Sequence, residues 1–431
     1  MSTNPNYKIK ERRIHKMKRS LLIVRVLAVV ILALFTTGGI AHSQQVTEVP
    51  LGVIYPLSGP VAEIGNTCLK GVTLAVEQKN AKGGIKSLGG AKLKMYVSDT
   101  QGKPEIGVVE TEKLISEKKV VAILGAYQSA VTLPTTQVAE RLKTTYMNGN
   151  AVADPITERG FKYTFRTISK AVWMAESQFE FIRDVSQKKH KTVKTVAILF
   201  EDTLWGQSQA KGWRDLASKY NLQIVADLPY SAKATDYTPI VSKLKAANPD
   251  IALMASYITD AMLMQRTYKQ LDFNCMAIVG SGGGHTEPAF LKALGKDAEY
   301  IFTQASWSEK MKGAGSKHMD VFNAFKKRWG EDMNQQAASA YHSAWVVFHA
   351  LEKAASLDKD KIRDTLAHIQ LDSAKDEGVI LPGKVSFDQN GQVDDRLIML
   401  QVLNGDFHPI YPFAIASKEP IFPVPKWGDR K

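Results

Sequence analysis

Residues Leu51–Ile85 read LGVIYPLSGPVAEIGNTCLKGVTLAVEQKNAKGGI, and this stretch decides the fold. Leu51–Tyr55 is a short aliphatic run without alternation, the pattern of a strand buried on both faces. Pro56, Gly59 and Pro60 break the run. Val61–Gln78 then continues with apolar residues at helical spacing. A buried strand, a turn and an amphipathic helix are the first step of a parallel α/β sheet.

The same step repeats downstream. Strands are expected at Leu93–Asp99, Val120–Gly125 and Thr145–Asn148, with helices at Pro104–Glu117 and Val131–Lys143 between them. After Phe161–Thr167 a second series begins, with strands at Thr195–Phe200, Gln223–Leu228, Ile251–Ala255 and Met276–Val279. Its helices fall at Trp173–Val185, Trp205–Lys219, Tyr237–Ala247 and Asp260–Leu271. Two α/β halves of similar length are therefore predicted, each a doubly wound parallel sheet covered on both faces. The tail adds helices at His318–Trp329, Asn334–Ser356 and Lys359–His368, and strands at Val385–Phe387 and Leu397–Val402. It opens no third domain, so the chain passes between the halves more than once, which makes a hinge.

Ligands of such sheets gather at the carboxyl ends of strands, beside helix N-termini. The loops to watch are therefore Pro56–Pro60, Ala126–Ala130, Asn148–Asp154, Glu201–Trp205, Ser256–Asp260 and Ser281–His285. Two halves facing each other across a cleft would bring them together.

The first 43 residues stand apart from that globule. A basic head from Lys8 to Arg19, an apolar run Val26–Phe35 and the small residues Gly38, Gly39, Ala41 and Ser43 describe a cleavable signal peptide. Cleavage is expected after Ser43, with the mature chain periplasmic and starting at Gln44. Arg25 interrupts the apolar stretch, and its clean part is shorter than the ~20 residues a membrane span needs. The Arg12–Arg13 pair lacks the residues that normally follow in a twin-arginine signal. The chain carries a formal +13 over 431 residues, and +7 of it lies in this segment. The mild remainder, without Lys/Arg blocks interleaved with aromatics, excludes a nucleic-acid partner. Cys68 and Cys275 fall in different halves and are expected to be free, buried thiols.

Catalytic signatures are absent from the sequence. There is no G-x-S-x-G, no G-x-x-x-x-G-K-[ST] and no H-E-x-x-H. The nine histidines show no metal spacing, and the Gly282–Gly284 run lacks the spacing of a dinucleotide fingerprint. No enzyme, metal or cofactor is expected. The glycines are read as giving a ligand close access to the backbone.

Several stretches carry a resemblance. They are Leu51–Ile85, SDTQGKPEIGVVETEKLI, ILGAYQSAVTLPTTQVAE, DPITERGFKYTFRT, LFEDTLWGQSQAKGWRD and GKVSFDQNGQVDD. In order and spacing they resemble the leucine/isoleucine/valine-binding proteins of ABC transporters over essentially the whole mature chain. The resemblance implies a type I periplasmic binding protein: two doubly wound parallel-sheet lobes joined by about three crossovers, near Thr167, Gln304 and Gly383. Residues 44–167 with about 304–383 would form the first lobe, and 168–303 with about 384–431 the second. It also implies a monomer that captures a small amino-acid-like, amide or aromatic/carboxylate solute and hands it to permease and ATPase subunits. A ligand sensor signalling to a membrane receptor is the other role this fold serves.

Family positions map onto Tyr127, Gln128 and Ser129, the loop that grips a ligand carboxylate. Ser129 would present a hydroxyl at a helix N-terminus, or serve only as its cap. Asn150 and Ala151 occupy the next loop, where Val152 replaces a residue able to hydrogen-bond. Trp205 stands where the family often has tyrosine, and Tyr257 matches a ligand-contacting tyrosine. The acid that pairs with an α-ammonium falls at Gly282. Either Asp202, Asp260 or Glu287 substitutes for it, or the ligand carries no ammonium. The second reading is favoured here, because planar side chains crowd the cleft instead. Trp307 is read as lobe core.

Overall fold

The computed structural model describes residues 13–19, 46–313, 316–395 and 397–430. It divides into Met1–Val46 and Thr47–Lys431, and the second unit holds both sheets. Apart from a helix over residues 13–19, the expected leader and its cleavage site lie outside the described residues. No described helix is long and apolar enough to cross a membrane.

The first lobe is built on five parallel strands: β1 (Glu48–Tyr55), β2 (Lys92–Asp99), β3 (Ala122–Gly125), β4 (Thr145–Asn148) and β5 (Thr164–Arg166). Their order is β2-β1-β3-β4-β5. Helices α1 (Ala62–Ala81), α2 (Pro104–Ser116) and α3 (Ser129–Arg141) connect them. The glycines of the deciding stretch have a packing reason. A Cβ on Gly65 would fall 1.9 Å from the Pro56 carbonyl oxygen, so α1 can leave β1 this tightly only without one. Gly71 likewise admits the carbonyl of Ala337, which would lie 2.2 Å from a Cβ. Ala337 belongs to a helix some 260 residues further on, so the chain returns to this lobe.

The second lobe has seven strands in the order β14-β13-β10-β9-β8-β6-β7. Parallel strands β6 (Thr195–Glu201), β7 (Gln223–Tyr230), β8 (Ile251–Ala255), β9 (Ala277–Gly280) and β10 (Phe302–Ala305) form its body. Helices α4 (Ala171–Lys188), α5 (Leu204–Ala217), α6 (Thr238–Ala247), α7 (Ile258–Gln270) and α8 (Pro288–Leu294) accompany them. Its core joins Leu199, Met254, Met264, Tyr268 and Phe290 across the sheet.

The tail contributes α9 (Ser316–Trp329), α10 (Gln335–Ala354) and α11 (Lys359–Ala367). A two-residue ribbon, β11 (Leu371–Asp372) with β12 (Lys384–Val385), follows. Helix α10 is buried nearly all round against α1, as an apolar-on-all-sides helix must be. Strand β13 (Ile398–Leu403) then pairs antiparallel with β10, and β14 (Asp406–Tyr411) antiparallel with β13. The second sheet is thus the expected parallel sheet with an antiparallel edge added by the tail. Asn404 and Gly405, both at positive φ, make a two-residue hairpin turn that sends β14 back beside β13.

Three passages carry the chain between the sheets: after β5, after β10 and before β13. They meet at one carboxylate. Oδ2 of Asp395 accepts from the Ser169 amide at 3.0 Å and from the Ser306 hydroxyl at 3.1 Å. Beside it Arg166 is fully buried, donating to the Thr157 hydroxyl, the Ala153 carbonyl and the Gln392 side chain. Both cysteines are free; Cys68 is buried in α1 and Cys275 is half-buried just before β9.

Candidate functional site

A pocket with about 40 Å³ of space for water centres, open in part to solvent, lies where the strand ends of both lobes face each other. Seven of the eight predicted site residues line it: Tyr127, Ser129, Asn150, Ala151, Trp205, Tyr257 and Gly282. Gln128 does not. It is the N-cap residue of α3, and its side-chain oxygen points at Gly102, where a Cβ would fall 2.8 Å away.

On the first-lobe side, Ser129 is the first residue inside α3 and not its cap. Its Oγ accepts from the Ala153 amide at 3.2 Å, which leaves the hydroxyl proton available for a ligand. The first amides of α3 lack intrahelical partners and carry the positive end of the helix dipole. Asn150 is fixed by Tyr55, whose hydroxyl donates to Oδ1 at 3.2 Å, and by the Gln336 side chain, which accepts from Nδ2 at 2.9 Å.

Trp205 and Tyr257 of the second lobe and Tyr127 of the first form a wall of three rings. The Tyr257 ring lies 4.9 Å from Trp205 and 6.1 Å from Tyr127, tilted to both. The triple glycine makes room for this wall. Gly283 sits at φ 54°, and a Cβ there would be 2.4 Å from the indole of Trp205. A Cβ on Gly284 would be 2.4 Å from the Tyr257 carbonyl. The glycines thus serve ring packing and the start of α7, besides any ligand access.

Much of the remaining lining came from residues outside the loops singled out in the sequence. Ile168, Ser169, Gln304, Ser306 and Leu397 belong to the three passages, so the floor of the pocket is the hinge itself. Met174, Ser281, Gln335 and Gln336 complete it together with Val152 and Gly283. The crossovers expected near Thr167 and Gln304 were the available signal, since a pocket at a hinge takes its floor from the connecting segments.

The lining contains no carboxylate, ammonium, guanidinium or imidazole. None of the three acids considered as ammonium partners reaches it. Asp202 is exposed and accepts from Gln207. Asp260 lies behind the rings, accepting from the Tyr230 hydroxyl at 2.8 Å and the Tyr257 amide at 3.2 Å. Glu287 lines a separate cavity. Burial pushes Asp260 and its neighbour Glu201 up to about 7. Three buried polar atoms on pocket residues lack partners: Nε1 of Trp205, Oε1 of Gln304 and Oε1 of Gln335. One donor and two acceptors are thus left for an occupant.

A pocket between two hinged lobes, floored by the hinge and lined by rings, hydroxyls and amides, defines a solute-binding protein. The chain belongs to the periplasmic binding protein family, which matches residues 48–406. Membership places it among ligand-binding proteins and not enzymes. It is similar to Leu/Ile/Val-binding protein homolog 7 of Brucella suis biovar 1 (strain 1330), 28% identical over 382 residues, spanning 86% of this chain and 93% of that one. In three dimensions it resembles the branched-chain amino acid transporter substrate binding protein LivJ of Streptococcus pneumoniae, solved with isoleucine. The TM-score is 0.73 at 24% identity, over 84% of this chain and 97% of that one. It also resembles an ABC transporter solute binding protein of Rhodopseudomonas palustris BisB5, solved with 3,4-dihydroxybenzoic acid. Here the TM-score is 0.72 at 19% identity, over 89% and 99% of the two chains.

Proposed function

We propose that this chain is the exported solute-binding component of an ABC importer, and that its solute is a flat carboxylate or amide without an ammonium group. The observation that carries the ligand reading is the pocket lining. Trp205 and Tyr257 stand on one side, Tyr127 and the N-terminus of α3 with Ser129 on the other, and no acid lines the space between. A buried ammonium without a carboxylate costs several kcal/mol, on the order of the desolvation of a single ion. A planar carboxylate loses hydration too, but the free amides at the α3 N-terminus and the Ser129 hydroxyl offset part of that cost. Its ring stacks on Trp205 or Tyr257, and its oxygens accept from Ser129 and the α3 amides.

In this reading residues 44–167 with about 304–383 close on 168–303 with about 384–431, about the segments that meet at Asp395. The solute is held first by Ser129 and Asn150, then by Trp205 and Tyr257 on closure. A permease recognises the closed form by population shift, and the chain acts as a monomer. Export to the periplasm rests on the basic and apolar pattern of residues 1–43. The ABC transporter relatives support delivery to a permease over relay to a sensory receptor.

The test is thermal stabilisation of the mature chain by 3,4-dihydroxybenzoate, benzamide and leucine. Saturating ligand should stabilise by about 2–4 kcal/mol. Stabilisation by the first two and not by leucine is the expected result. Leucine alone acting would overturn the ligand class, and silence across a wide panel of solutes would overturn the binding role.

A further inference from the structure

Beside the main pocket lies a second cavity with about 400 Å³ of space for water centres, open in part to solvent, with Gln335 on the wall shared by both. Six acids line it: Glu63, Glu287, Glu309, Glu331, Asp332 and Asp406. Four of these sit in ion pairs with three lysines. Lys70 pairs with Glu331 at 2.6 Å and Lys326 with Asp332 at 2.8 Å, while Lys310 pairs with Asp406 and lies 3.6 Å from Glu309. Among the described residues no lysine or arginine pairs with Glu63 or Glu287.

We propose that this side cavity binds a small alkylammonium ion, its head between Glu63 of the first lobe and Glu287 of the second. Glu287 is 3% exposed, and only one of its oxygens is used: Oε2 accepts from Asn334 at 2.8 Å, and Oε1 has no partner. A buried carboxylate oxygen left unpaired is unfavourable until a donor arrives, and an ammonium supplies both donor and charge. Burial and then the nearby Glu63 push Glu287 up to about 8, so an arriving ammonium releases to solvent the proton held there. The other cavity residues settle the kind of cation. Leu291, Trp307, Met333, Leu400 and Phe407 give an apolar wall for an alkyl stem, and Trp307, expected as plain core, lies on it. The space far exceeds a bare ion, and no group of three metal-binding side chains occurs among the described residues. Because Glu63 stands in the first turn of α1 and Glu287 follows β9, the ion joins the two lobes and favours the closed form. The residues that hold the ion are the same whatever the chemistry of the main-pocket solute.

Butylammonium and its neutral counterpart 1-butanol are the probes, titrated calorimetrically into the mature chain at low ionic strength. Butylammonium should bind and butanol should not. Glu287→Gln, which keeps the bond to Asn334, should weaken butylammonium at least about tenfold, the scale of a charge-assisted hydrogen bond. Glu63→Gln, at an exposed position that folding tolerates, should weaken it about two- to fivefold. Equal affinity in both variants, or equal binding of butanol, overturns the proposal. So does displacement of butylammonium by a solute of the main pocket, which would place the ion there. Failure of the transport reading looks different: no solute stabilises the protein while the butylammonium titration stays intact.

Discussion

A Cβ on Gly283 would fall 2.4 Å from Cη2 of Trp205, so the indole occupies the space that any other residue at 283 would claim. The backbone there is at φ 54°, which adds strain for an L side chain. Gly283→Ala should therefore push the indole off Tyr257 and weaken solute binding about tenfold or more. Trp205→Phe lacks the atom that clashes. In the Gly283→Ala background it should recover part of the loss, with a coupling of about 1 kcal/mol between the two sites. Additive effects in the double variant would refute a shared packing cause.

The three interlobe passages depend on Asp395. Asp395→Ala leaves the Ser169 amide, which is 1% exposed, without its acceptor. An unpaired buried amide costs about 1–3 kcal/mol, and the denaturation midpoint should fall accordingly. Asp395→Asn retains an acceptor oxygen and should recover most of it. Solute affinity should drop with stability in the alanine variant, because Ser169 and Ser306 also line the pocket. An unchanged midpoint for Asp395→Ala would show that the passages are held by something else.

Ser129→Ala removes one hydroxyl whose oxygen is already used by Ala153. Its loss should weaken carboxylate solutes by about 1.5–3 kcal/mol, the value of a hydrogen bond to a charged group. Amide solutes should lose only about 0.5–1.5 kcal/mol. Calorimetry on a matched carboxylate and amide separates the two. Equal losses would mean that Ser129 does not face the carboxylate.

Legibility in the sequence followed the length of the signal. Ile251–Ala255 was readable to the residue, because an aliphatic run bounded by turn formers reads as a buried strand. Phe302–Ala305 was not, because FTQA carries only two apolar residues and becomes a strand by pairing with β9 and β13. The Asn404–Gly405 turn was a readable hairpin signal that went unused, and with it the antiparallel edge. The site divided along the same line. Loops that end strands were legible by topology, whereas Ser169, Ser306 and Leu397 come from connecting segments that look like linkers until the lobes are assembled. Glu287 was legible as an acid; its neighbours Glu63, Cys68, Tyr127 and Asn334 come from separate parts of the chain.

Those neighbours set a pH dependence. With Glu287 pushed up to about 8 by burial and by Glu63, the folded chain keeps a proton that the unfolded chain releases near the ordinary carboxylate value. Between the two values the folded state holds more protons, so stability from this group falls as pH rises from about 4.5 to 8. The slope is at most about 1.4 kcal/mol per pH unit. Glu287→Gln cannot titrate and keeps the Asn334 bond. It should therefore gain on the parent chain as pH rises from 5 to 8, by about 1–3 kcal/mol in guanidinium denaturation. Parallel stability curves for the two proteins across that range would mean that the Glu287 carboxyl ionises as freely in the fold as in the open chain.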